Sequence, residues 1–242
     1  MNYREKRGAY LNCEKRIFPG TGNFDFPEMS LVDINLGEDP KVIGFNYAIG
    51  EKNPEDKIVH FYLDDYQFER VWNHPQKYIP LLRNFKAVMS PDFSMYTDFP
   101  KAVQMFNHYR KMWCSAFWQE NGVKVIPTIC WSDESSFDWC FDGIPKHSLI
   151  CVSTVGGFGN HKECDKEAWL RGYNKCLEVL EPSEILLFGN YFPEIARHDI
   201  IRVVGNTNLI NKRTKSRKPE IGVPILAVPD KIERLEENAH GR

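Results

Sequence analysis

Between Phe85 and Gly189, short apolar runs alternate with long amphipathic stretches, and this alternation constrains the fold more than any other feature of the chain. Residues 85–90, 123–131, 149–155 and 184–189 have the length and composition of strands. Residues 98–121 carry Val103, Phe106, Tyr109, Trp113 and Phe117 at spacings of three and four, the pattern of a helix capped at Thr97 or Asp98 and stopped by Gly122. Residues 162–181 form a second helix pattern, with Cys164, Ala168, Gly172, Cys176 and Leu180 along one stripe. Strand–helix–strand at this spacing predicts right-handed βαβ units and a mainly parallel sheet in an α/β fold. Such a sheet is either open or an irregular, incomplete TIM-like barrel, and counting strands does not separate the two. Pro127 inside its run argues for an edge strand or an irregular strand end.

Upstream, residues 42–49 and 58–63 read as two strands joined by a polar turn, a predicted hairpin. Asp64 and Asp65 offer an N-cap for a helix through Phe68 and Trp72, and a further helical turn covers residues 77–83. Residues 1–40, rich in turn residues, are expected to form an extended arm pinned by Phe18, Phe24 and Phe26. The expected organisation is therefore an arm at 1–40, an α/β core at 41–210, and a basic loop with a charged tail at 211–242. With 42% hydrophobic residues the chain can bury a core, and a formal net charge of −2 argues against a globally basic nucleic-acid protein. No run approaches the roughly 20 apolar residues of a membrane span. The seven cysteines include no CxxC pair, and the first ten residues lack the apolar stretch of a secretion signal, so reduced thiols in the cytoplasm are expected.

Ligands of parallel sheets bind beyond the carboxyl ends of the strands. That rule selects Asp92 as a candidate nucleophile or general acid/base, against the plainer reading of an aspartate in a Pro-Asp turn. Asp133 and Glu134 are candidates for the second carboxylate of glycosidic-bond chemistry, or are a solvated acidic loop that caps a short helix. Trp131 can stack on a sugar or base, or simply pack in the core. Gly156, Gly157, Gly159 and Asn160 form a glycine-rich turn before a helix that can cradle an anion, although it is neither a Walker A motif nor GxGxxG. Ser94 and Asn190 follow strands on the same expected rim. No His or Cys spacing matches a zinc site, and the sequence names no cofactor. The cysteines read as small core residues. Lys212, Arg213, Lys215, Arg217 and Lys218 make a basic segment that is either a solvated loop or a contact for nucleic acid or a host protein.

Residues 61–189 resemble a domain-of-unknown-function family found in bacteriophages, plasmids and other bacterial mobile elements. The likeness rests on Asp65-Tyr66-Gln67-Phe68-Glu69-Arg70-Val71-Trp72, on Pro91-Asp92-Phe93-Ser94-Met95-Tyr96, on Gln104-Met105-Phe106-Asn107-His108-Tyr109-Arg110, and on Val125-Ile126-Pro127 with Trp131. Phe141-Asp142-Gly143-Ile144-Pro145 and Leu186-Leu187-Phe188-Gly189 extend it. The resemblance implies a phage or mobile-element origin and no particular reaction. It also implies that Asp92, Gln104, Asn107, Tyr109 and Arg110 recur together. Two functions are expected from these residues. One is a hydrolase or transferase acting on a glycosidic bond of a sugar, nucleoside or nucleic-acid base, with Arg110 or Gln104 holding the substrate. The other is a binding protein that captures a host protein, a nucleotide or nucleic acid.

Overall fold

The computed structural model describes residues 11–155 and 166–205. Its strands are β1 (Gly20–Thr21), β2 (Phe26–Pro27), β3 (Lys41–Gly44), β4 (Lys57–His60), β5 (Ala87–Met89), β6 (Val125–Ile126), β7 (Thr128–Ile129), β8 (Leu149–Ser153), β9 (Glu184–Phe188) and β10 (Ile201–Val204). The helices are α1 (Phe45–Ala48), α2 (Arg70–Asn73), α3 (Pro75–Leu82), α4 (Lys101–Glu120) and α5 (Lys166–Leu180). Two four-stranded sheets, β3-β4-β5-β6 and β7-β8-β9-β10, are parallel throughout. Strand order follows chain order in both, the succession expected when each crossover adds the next neighbour. The fold is thus α/β with open parallel sheets, and among the described residues no ladder closes them into a barrel.

Only Pro127 separates β6 from β7, so residues 125–129 are one extended segment that changes partner part-way. Ser90 N donates to Ile126 O on the β5 side at 2.9 Å, and Cys151 N donates to Pro127 O on the β8 side at 2.8 Å. The expectation of an edge strand or an irregular strand end agrees with this: β6 and β7 each stand at the edge of their sheet. Proline, which has no N–H, sits where one ladder ends and the next begins, so the donor it lacks falls between the ladders. The change of partner also turns the sheets toward each other. The rings of His60 and Tyr62, at the end of β4, lie 4.5 and 4.7 Å from Phe188 at the end of β9.

Other local expectations are revised. β3 pairs parallel with β4, so the predicted hairpin of residues 42–63 does not form. The expected strand ends at Gly44 and becomes α1, which buries Phe45 and Ala48 and stacks Phe45 on Phe61 at 4.9 Å. An antiparallel hairpin occurs earlier, between β1 and β2. It docks on α4 through Phe26, whose ring meets His108 edge-on at 4.5 Å. Gly143 accepts a hydrogen bond from Met29 N at 2.8 Å, and a Cβ at Gly143 would lie 2.4 Å from Pro27 O. Phe18 packs against Trp113, whereas Phe24 is exposed. The helix expected from Asp64 is a short 3-10 turn, Asp65–Gln67, followed by α2. α4 starts after Pro100 without a side-chain cap. β10 has no counterpart in the sequence reading: its pattern, Ile201-Arg202-Val203-Val204, is short and interrupted by charge.

β5, β8 and β9 are apolar along nearly their whole length, as parallel strands covered on both faces require. α5 packs back through Trp169, Gly172, Tyr173, Cys176 and Leu180. A Cβ at Gly172 would lie 2.2 Å from Trp131 Nε1, so the indole occupies the space that a side chain there would need. Gly172→Ala is expected to destabilise the fold by about 1–3 kcal/mol through overpacking, despite alanine's better helix propensity. In the Trp131→Ala background the same substitution should cost nothing. Chemical denaturation of the four proteins in this cycle measures it, and an equal cost in both backgrounds would refute the contact.

Candidate functional site

α4 buries a polar face. Gln104, Asn107, His108, Arg110, Lys111 and Ser115 are buried, Gln104 at 0% and Lys111 at 1% relative exposure. Val103 and Phe106, expected on the core side, are 41% and 38% exposed. The apolar stripe faces the core only from the middle of the helix onward, through Met112, Trp113, Cys114, Phe117 and Trp118. Burying this many polar groups is costly unless each finds a partner.

Most of the partners come from the segments that follow β4 and β5. Gln104 Nε2 donates to Tyr96 O and Phe99 O, each at 3.0 Å. Asn107 Nδ2 donates to Ser94 O at 2.6 Å, and its Oδ1 accepts from Arg110 Nη2 at 2.6 Å. Arg110 pairs with Glu69 at 2.5 Å and lies over the Phe93 ring, 3.9 Å from its centroid. Ser94 N and Oγ both donate to the Asp65 carboxylate, the latter at 2.8 Å. Gln104, Asn107, Arg110 and Ser94 therefore hold the loop that carries Asp92, although Gln104 Oε1 and Arg110 Nε are buried without a partner.

Asp92 stands at the carboxyl end of β5, where this loop begins. The Cys130 thiol, at the end of β7, lies within its electrostatic reach. Burial raises Asp92 to about 6; the Lys111 ammonium opposes this and the Asp65 carboxylate adds to it. Lys111 reaches the same point from α4, with Nζ 3.3 Å from Cys130 Sγ. That is its one hydrogen bond, and among the described residues the ammonium makes no ion-pair contact. Burial pushes the Cys130 thiol up to about 11, so it is a neutral donor. Met95 Sδ closes the other side at 3.7 Å from Cys130 Sγ. Tyr62 and His60 line the adjoining rim. His60 Nδ1 is buried without a partner, the Tyr62 hydroxyl makes no well-formed hydrogen bond, and burial lowers His60 to about 4 and keeps it neutral.

The remaining predicted residues lie elsewhere. Asp133 caps the 3-10 turn Glu134–Ser136 and pairs with Lys101 at 2.8 Å, and the Lys101 hydrogen bond holds its carboxyl below the usual range. Glu134 pairs with Arg171 at 2.8 Å, exposed on both sides. This turn lines a shallow surface pocket of about 320 Å³ with Thr97 and Phe137. Trp131 packs against Trp169 at 5.6 Å. Asn190 N donates to Thr154 Oγ1 at 2.8 Å in the turn after β9. Gly156, Gly157, Gly159, Asn160 and the basic segment Lys212, Arg213, Lys215, Arg217 and Lys218 lie outside the described residues. Among the described residues no group of His, Cys, Asp and Glu is arranged to hold a metal ion, and six cysteines are free thiols. Sequence reading missed Lys111, Cys130, His60 and Tyr62. A signal for Lys111 was present: it falls between His108 and Cys114 on a face that continues to Trp118.

Residues 18–205 match the family described as Domain of unknown function (DUF4417). The chain belongs to this family. Similar proteins include the Gene 1 protein of Mycobacterium phage L5, 40% identical over 131 residues that cover 54% of this chain and 56% of that protein. The Gene 1 protein of Mycobacterium phage D29 is 33% identical over 173 residues, 71% of this chain and 63% of that protein. The chain thus spans between about half and two thirds of these relatives' length, and neither their names nor the family description states a reaction. The likeness to a bacteriophage family of unknown function, drawn from the sequence, is upheld by these matches. No solved structure matches the chain, and among the described residues no helix is long and apolar enough to cross a membrane.

The raised Asp92 carboxyl has a stability consequence. In an unfolded chain an aspartate titrates near about 3.9. Between that value and about 6 the folded protein binds a proton that the unfolded chain has released, so this group makes stability fall as pH rises through the window. The stability of the wild type relative to Asp92→Asn is expected to drop by on the order of 2 kcal/mol between about pH 4 and neutrality. Urea denaturation at both pH values measures this, and a pH-independent difference would show that Asp92 is not shifted.

Proposed function

We propose that the protein is an enzyme acting on a glycosidic bond of a sugar, nucleoside or nucleic-acid base, with Asp92 as its general acid. The supporting observation is a pair of carboxylates in unlike settings at one strand rim. Burial raises Asp92 to about 6, whereas Asp65 accepts hydrogen bonds from both Ser94 N and Ser94 Oγ. Glycosidic cleavage uses this division: one carboxyl gives a proton to the leaving group, and a second carboxylate faces the positive charge that develops on the sugar ring. The second role passes to Asp65 because Asp133 and Glu134 are exposed and already paired with Lys101 and Arg171.

A second reading, capture of a nucleotide, nucleic acid or host protein without turnover, draws on a different feature. Tyr66, Tyr96 and Tyr191, which follow β4, β5 and β9, are 76%, 59% and 45% exposed and offer faces for stacking.

Aryl glycosides, free nucleosides and single-stranded oligonucleotides form a direct activity screen. On a substrate that is turned over, Asp92→Asn is expected to lower kcat by about 10²–10⁴-fold. Because the acid must be protonated, the wild-type rate should decline as pH rises through about 6, an inflection absent in the variant. Full activity of Asp92→Asn would remove it from catalysis. Binding of one of these compounds without turnover would favour the capture reading.

A further inference from the structure

The pocket beside the 3-10 turn Glu134–Ser136 suits a ligand that is polar, uncharged and apolar on one face. Thr97, Ser132, Asp133, Glu134, Phe137 and Arg171 are among the residues that line its volume of about 320 Å³. Its charges are matched: Lys101 Nζ lies 2.8 Å from Asp133, and Arg171 Nε lies 2.8 Å from Glu134. A phosphate or an ammonium entering here would compete with a partner already in place. A hydroxyl needs no such exchange, because it donates to the remaining lone pairs of a carboxylate and accepts from N–H groups. Ser132 lines the same pocket, and its Oγ is buried without a hydrogen-bond partner. A ligand hydroxyl that reaches it would supply one. Phe137 adds an apolar face.

Aromatic faces continue the site along the strand rim. Tyr96 adjoins Thr97 in the chain, is 59% exposed, and meets Phe99 edge-on at 5.1 Å. Ser94 Oγ donates to Asp65 at 2.8 Å, which ties the loop of Tyr96 to the turn of Tyr66, itself 76% exposed. Asp92 lies five residues before Thr97, a stretch of chain that spans at most about 18 Å. The two loops, residues 61–69 and 90–100, carry Asp64, Asp65, Glu69, Asp92 and Asp98 and no lysine or arginine. The nearest cations are engaged: Arg70 lies over the Phe45 ring at 4.9 Å, and Arg110 pairs with Glu69. A polyanion such as nucleic acid is repelled along this path. A sugar ring finds tyrosine faces for its C–H groups and carboxylates for its hydroxyls.

We infer that this pocket, with Tyr96 beside it, is a subsite for a sugar unit of a neutral oligosaccharide whose chain runs along the rim toward Asp92. What happens to the bound chain rests on the reading of Asp92 as the acid of a glycosidic cleavage, and the inference names the substrate class of that reaction. It also gives Asp133 and Glu134 a part as hydroxyl acceptors, which their pairing with Lys101 and Arg171 holds in place.

Isothermal titration calorimetry of the full chain with cellopentaose, maltopentaose and chitopentaose tests this, with inorganic phosphate and an oligothymidylate as anionic probes. At least one pentasaccharide should bind, and neither anion should. Glu134→Gln is expected to weaken the binding about tenfold or more, and Tyr96→Ala about 3–10-fold. Both side chains are exposed, so the fold does not depend on them. Failure of all three sugars to bind overturns the inference, as does binding that either variant leaves unchanged. Binding of phosphate or the oligothymidylate in place of the sugars overturns it as well and favours the capture of an anion. A pentasaccharide that binds in this way and is never cleaved would keep the subsite and remove the acid role of Asp92. Asp92-dependent cleavage of an aryl glycoside with no pentasaccharide bound would do the reverse.

Discussion

The buried polar face of α4 is the constraint on which the rest of the structure depends. A helix in a βαβ crossover normally turns an apolar stripe to the sheet, and its polar groups go to water. Here the first half of α4 does the opposite, and the surrounding chain is arranged to satisfy it. Tyr96 and Phe99 lend carbonyls to Gln104, Ser94 lends one to Asn107, and Glu69 supplies the countercharge for Arg110. Breaking a buried ion pair such as Arg110–Glu69 by removing one partner typically costs about 3–5 kcal/mol, although partial exposure of Glu69 reduces that here. The bonds of Asn107 and Arg110 span 13 and 41 residues and those of Gln104 only 8 and 5, and together they fix the path of residues 93–99. The position of Asp92 is therefore set by α4 as much as by β5.

This explains which parts were legible in the sequence. Strands β5, β8 and β9 are read directly, because a parallel strand covered on both faces needs a continuous apolar run. The long helix is legible for the same reason in its second half, where Trp113 and Phe117 keep the stripe. In its first half, Val103 and Phe106 mimic a core-facing pattern that the structure turns outward. Periodicity identifies a helix but cannot tell which face is buried when both carry anchoring groups. β3 and β4 were read as a hairpin because two apolar runs separated by a polar turn look alike whether the chain reverses or crosses over. The short helix α1 decides it, and four residues carry too little periodicity to announce themselves.

The candidate site was legible only through the rule that places ligands beyond strand ends. That rule picks out Asp92 and also picks out Asp133 and Glu134, since it cannot see that Lys101 and Arg171 already pair with these two. Cys130 looked like a small core residue because nothing adjacent in sequence is a base. Its neighbour Lys111 is nineteen residues away and arrives from the opposite layer. Arg110, expected to hold a substrate, is paired with Glu69 and lies over Phe93; a guanidinium and a paired carboxylate read the same in sequence whether the partner is a ligand or the protein.

The chemistry at Asp92 depends finally on how the two sheets meet. An aspartate at the end of an ordinary flat sheet would be hydrated and fully ionised at neutral pH. Pro127 ends the β5 ladder and leaves Thr128 and Ile129 to pair with β8, so the strand that carries Cys130 belongs to both sheets at once. The resulting turn brings Phe188 against His60 and Tyr62 and closes an aromatic wall along the rim. Burial is the largest cause of the raised Asp92 carboxyl, of the neutral His60 and of the protonated Cys130. These three shifts share one leading cause, the loss of water around the charged form. Lys111 is the exception that this dry rim leaves under-partnered, and the acid that titrates near neutrality stands within its electrostatic reach.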